Sequence, residues 1–193
     1  MVLVIVLGVA LVAFARSGRE ATSAPRLGDH WHSAYDIYVC DTFRAKIVDE
    51  TDPNGIHTHG DGLMHIHPFN SLASGKNATI GQFFSAYGGR IDDTSLVLDT
   101  GEEIVEGGDC GGEPTVLKVA RFDAQDRDRA PDVVTEDLAD VRYLKNLEAF
   151  TIAFVPEGVE PPAPRAERFT FLETVDPRAL SSNGAGTPTT TEG

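Results

Sequence analysis

Alternation of apolar and polar residues dominates the first half of this chain. In the stretch DHWHSAYDIYVCDTF, Trp31, Tyr35, Ile37 and Val39 fall on odd positions, and His30, His32, Asp36 and Tyr38 on even ones. A period of two is the signature of a half-buried strand, which turns the odd set to the core and leaves His30 and His32 together on the other face. The stretch GIHTHGDGLMHIHPF repeats the logic. Ile56, Met64 and Ile66 are apolar on even positions, while His57, His59, His65 and His67 occupy odd ones.

Two strands joined through Gly60-Asp61-Gly62 predict a hairpin, and its loop length decides where the imidazoles go. A two-residue loop opposes His59 to Met64 and splits the histidines between faces. A three-residue loop, with Gly62 in the left-handed conformation, opposes His57 to His65. All four histidines then share one face, and Ile56, Thr58, Met64 and Ile66 share the other. Only the second register sends the apolar set to one side, so it is the one expected.

Further on, the spacing of Ile80, Phe83, Phe84 and Tyr87 predicts a helix, capped by Asn77 or Thr79 and stopped at Gly88-Gly89. Strands are expected at SLVLD (95–99) and TVLKVARFD (115–123), with the acidic, glycine-rich 101–114 as a loop between them. A final hairpin pairs DVRYL (140–144) with EAFTIAFVP (148–156), against a competing helix over 133–144. This order gives an α+β fold: a small mixed β-sheet with one packed helix, β-grasp-like, with a β-sandwich as the alternative.

The ends have a different composition. Residues 1–15 are uncharged and apolar, about 22 Å of helix, which suits a signal-peptide core or short membrane anchor. Residues 16–27 read as a linker, 28–155 as the globular domain, and 156–193 as a proline-rich and then disordered tail. The expected location is the cell membrane, on its extracytoplasmic face, with secretion as the alternative. In that setting Cys40 and Cys110, the only two cysteines, are expected to form a disulfide.

A formal charge of −14 excludes nucleic acid and anionic lipid surfaces as partners by repulsion. No phosphate-binding, dinucleotide-binding or nucleophile-elbow motif is present. The chemistry therefore rests on the histidines. All six lie in three H-x-H pairs, and an H-x-H on a strand points two neutral imidazoles at one ion. His30, His32, His57, His59, His65 and His67 are the candidate ligands, with Asp29, Asp36, Glu50 and Asp61 as carboxylates that could orient them. Six imidazoles exceed one tetrahedral zinc and could serve two three-histidine sites. With no soft ligand on the histidine face, Zn(II), Cu(II) and Ni(II) fit and Cu(I) does not. A surface patch of imidazoles answering to pH is the non-metal alternative.

The combination HWH, YDIYVC and GIHTHGDGLMHIHPF, followed by NATIGQFF and AFTIAFVPEG, resembles a group of membrane-anchored, histidine-rich bacterial proteins with no assigned activity. The resemblance covers 28–158 and implies a shared pattern without a reaction. The function expected is a metal-binding domain for capture, buffering or delivery, with its histidine face on the solvent side of the sheet. A histidine-ligated metalloenzyme, activating water at zinc or doing redox chemistry at copper, is one alternative. An assembly domain, with the histidine face buried in a homo-oligomer, is the other.

Overall fold

The computed structural model describes residues 24–176; the apolar 1–15, most of the linker and the end of the tail lie outside them. The strands are β1 (Trp31–Val39), β2 (Thr42–Phe43), β3 (Ile56–His57), β4 (Leu63–Ile66), β5 (Arg90–Ile91), β6 (Ser95–Val97), β7 (Glu103–Val105), β8 (Asp109–Cys110), β9 (Glu113–Asp123), β10 (Asp132–Val134) and β11 (Glu148–Pro156). Two α-helices accompany them, α1 (Ile80–Ala86) and α2 (Ala166–Val175). The large sheet runs β10-β9-β11-β1-β4-β3, with β2 and β8 attached at β1 and β9, and β5-β6-β7 form a second sheet. The fold is α+β, with a large mixed sheet and few helices.

The β1 alternation is realised in full. Tyr35 and Ile37 enter the main core with Ile56, Met64, Ile66, Phe150, Ile152 and Phe154, closed by Ile80, Phe83 and Phe84 of α1. Thr79 caps that helix, its hydroxyl accepting from Gln82 N at 3.3 Å. At the other end the helix stops before Gly88, whose φ is +73°.

The expected final hairpin does not form. β11 is flanked by β9, antiparallel, and β1, parallel, so neither edge is left for 140–144. That segment instead runs beside the start of α1, with Ile80 N donating to Val141 O and Tyr143 N to Ala78 O. Tyr143 is buried and its hydroxyl donates to Met64 Sδ at 3.1 Å. The competing helix is reduced to a 3-10 turn, Leu138–Asp140. The acidic segment 101–114 is more ordered than a loop, since it contributes β7 and β8.

Two further findings bear on the site. Cys40 and Cys110 are joined in a disulfide, tying the end of β1 to β8. And packed structure continues past Val155 through α2 (Ala166–Val175). Phe169 and Leu172 of α2 pack on Ala34, Leu63 and Ala149, small and apolar residues of the sheet face opposite the main core. Asp36, buried on that face, holds the start of α2: it accepts from Arg165 N, Nε and Nη2 and from Arg168 Nε, at 2.7 to 3.1 Å.

Candidate metal centre

Register brings the three histidine pairs together. β3 pairs with β4 so that His57 faces His65, as the three-residue turn requires, and β1 pairs with β4 so that His32 faces His65. Cross-strand partners share a face, so His32, His65 and His57 form one row across three strands. The ladder of β3 ends at His57, and His59 continues from it as an exposed residue. Its ring still lies 4.7 Å from that of His57 and 4.5 Å from that of His65. His30 closes the array, 4.8 Å from His32 and 5.4 Å from His67, which is 4.6 Å from His57.

Local chemistry fixes this geometry. Gly55 has φ +93°, and a Cβ there would collide with the carbonyl of His67. Only glycine permits that approach, in which His67 N donates to Gly55 O at 2.7 Å. At the turn, Gly62 has φ +85° and lies under Arg168. The backbone of His32 is clasped by the 146–147 segment, with His32 N donating to Asn146 Oδ1 and Leu147 N to His32 O.

The histidine row is not on an open solvent face. His32, His57 and His65 are 8%, 4% and 7% exposed. The expectation of a solvated face fails at these three, which pack on one another and meet Asp176, Asp52 and Asp61, Asp176 being delivered to His32 as the C-terminal cap of α2. Burial has an electrostatic consequence. It lowers His32 to about 4, helped by the neighbouring His65 and His30 and opposed by Asp176. Burial also lowers His57 to about 4 against the pull of Asp52, with His67, His59 and His65 adding to the fall. Both rings are therefore neutral at pH 7, the form that ligates metals.

Of the carboxylates expected to orient the ligands, Asp61 is placed to do so, with Oδ2 2.8 Å from His65 Nε2. Burial works against its charge, but the contact with His65 and the hydrogen bonds from Leu63 N and Thr58 Oγ1 hold it below the ordinary carboxylate value. Asp36 is a correction. It lies four residues along β1 from His32, about 13 Å away, and is saturated by two arginines. Asp29 Oδ2 accepts from Arg26 N within its own turn. Glu50 is exposed.

Two carboxylates were not expected. Asp52 Oδ2 lies 3.2 Å from His57 Nδ1, and Asp176 Oδ2 lies 3.5 Å from His32 Nδ1. Asp52 belongs to the turn D-P-N-G, in which its Oδ1 accepts from Gly55 N, and the turn alone is legible in the sequence. Asp176 carries no local signal, because it reaches His32 only through the packing of α2.

Among the described residues, two groups of side chains can hold a metal ion: His30, His32 and His65, and separately Asp52, His57 and His67. Within each, one ligand atom per residue lies within 4.8 Å of the others. Each contains a buried imidazole nitrogen that makes no hydrogen bond, His32 Nδ1 in the first and His57 Nδ1 in the second. Each has a carboxylate oxygen beside it but off the hydrogen-bond direction, Asp176 Oδ2 at 3.5 Å and Asp52 Oδ2 at 3.2 Å. No family model matches the chain, and no curated protein or solved structure matches it either. The reading of the site thus rests on its own geometry.

Proposed function

We propose that this domain binds a transition-metal ion through its six-histidine array, outside the cytoplasm, for capture, buffering or delivery. The observation that carries the reading is the pair of buried, neutral imidazoles, His32 and His57, whose Nδ1 atoms lack hydrogen bonds within groups of ligand geometry. Zn(II), Cu(II) and Ni(II) suit imidazole donors. The thioether of Met64 faces the main core, where it accepts from Tyr143, so no soft donor favours Cu(I). The disulfide supports an oxidising compartment. Among the described residues no helix is long and apolar enough to cross a membrane, and anchoring through 1–15 remains part of the proposal.

A substrate cavity beside the histidines would favour the metalloenzyme reading. A cleft of about 540 Å³ is lined by charged groups, among them Arg121, Asp123, Asp132, Lys145 and Glu148, and includes no histidine. Metal analysis of the full-length chain, purified without added metal and then challenged with zinc and copper, tests the proposal. At least one equivalent is expected, and His57→Ala with His65→Ala should lose it while far-UV circular dichroism is retained. Less than about a tenth of an equivalent before and after challenge would end the metal reading.

A further inference from the structure

Resting on that reading, we infer that the array holds two ions in two chemically different sites. The first is a three-imidazole site on His30, His32 and His65. The second has mixed donors, the imidazoles of His57 and His67 with the carboxylate of Asp52.

Three observations separate the sites. The two groups share no residue, and each encloses its own buried nitrogen without a hydrogen bond. His65 cannot serve both through its two nitrogens, because Asp61 occupies Nε2 at 2.8 Å and leaves Nδ1 as the free ligand atom. A carboxylate on the far nitrogen of a ligating histidine fixes the tautomer and the ring orientation. Finally, His57 and His65 are stacked, centroids 5.6 Å apart and planes inclined by 17°. Imidazole lone pairs lie in the ring plane, so two stacked rings do not converge on one ion.

Donor spacing fits an ion in each group. Metal–nitrogen bonds of about 2.0–2.1 Å set the ligand atoms of a tetrahedral ion roughly 3.3 Å apart. His57 Nδ1 and Asp52 Oδ2 already stand at 3.2 Å. The remaining atoms lie within 4.8 Å of one another. The donor sets also differ in hardness. Three imidazoles suit Cu(II), Ni(II) or Zn(II), whereas two imidazoles and a carboxylate accept Zn(II) and harder ions such as Fe(II). His59, exposed, has its Nε2 3.2 Å from His57 Nε2, on the far side of that ring from Nδ1, and belongs to neither donor set.

Cobalt(II) titration of the metal-free full-length chain, read by native mass spectrometry and by the visible absorption of bound Co(II), tests the inference. His30→Ala and Asp52→Asn each remove one outer ligand. Asparagine retains the oxygen that accepts from Gly55 N, and His67→Gln replaces this variant if it fails to fold. The native chain should bind two Co(II), and each variant one, with different absorption spectra for the two survivors. Saturation of the native chain at one Co(II), or loss of both ions in either variant, would overturn the two-site inference and leave the metal reading standing. Binding of no metal at all would overturn both.

Discussion

His32 in β1 stands directly opposite His65 in β4, their ring centroids 4.9 Å apart and their planes nearly perpendicular. This one pairing joins the H-x-H of the first strand to the two of the hairpin. It makes the register between β1 and β4 as important to the site as the ligands themselves. A slip of one residue would turn His65 toward the main core.

If the array binds metal as proposed, Asp61 acts on the affinity through its contact with His65 Nε2, without being a ligand. Asp61→Asn removes the charge at Nε2 but keeps an oxygen at the turn for Leu63 N. Affinity for zinc should fall about 10–100-fold with little change in stability. Competition against a chromophoric chelator reads the first, and urea unfolding the second.

Acid should destabilise the metal-free fold over a defined window. His32 and His57 titrate near 6.5 in the unfolded chain but are lowered to about 4 by burial in the fold. Above the unfolded value both states are neutral and the two histidines add no pH dependence. As pH falls from 6.5 to 4 the unfolded chain takes up protons that the fold resists, and stability drops; below 4 their contribution levels off. Urea midpoints measured between pH 7.5 and pH 4, compared with those of a chain carrying His32→Gln and His57→Gln, should show the slope reduced in the variant.

Asp36 anchors α2, the helix whose C-terminal cap, Asp176, reaches His32. Its carboxylate is 2% exposed and answers both Arg165 and the buried Arg168. Asp36→Ala leaves a buried guanidinium without its counter-charge and should cost about 3–5 kcal/mol. Urea unfolding measures that loss. Loss of α2 packing should also raise hydrogen exchange at the amides of His32 and Leu147, which donate to Asn146 Oδ1 and to His32 O.

The disulfide closes a loop with a sequence separation of 70. In the chain-entropy model such a link stabilises the fold by about 4 kcal/mol. Reduction, or Cys40→Ser with Cys110→Ser, should lower the thermal midpoint by an amount that corresponds to this, read by circular dichroism with and without reductant.

Much of this site was legible in the sequence because strands declare their faces. The odd and even positions of 30–39 and 56–67 separate core from ligand side, and the hairpin register followed from the requirement that Ile56, Met64 and Ile66 be buried together. Long-range pairing was not legible. Nothing local says that β11 lies parallel to β1, which displaced the expected final hairpin, or that 166–175 folds back as α2. The solvated histidine face and the role given to Asp36 failed for that reason. The contacts of Asp52 and Asp176 are likewise made by the tertiary fold.

Zinc K-edge X-ray absorption on the full-length chain loaded with zinc addresses the ligands themselves. The account predicts a first shell dominated by imidazole nitrogen at about 2.0–2.1 Å, with the outer-ring scattering that identifies histidine. A shell of oxygen alone, from water and surface carboxylates, would contradict it.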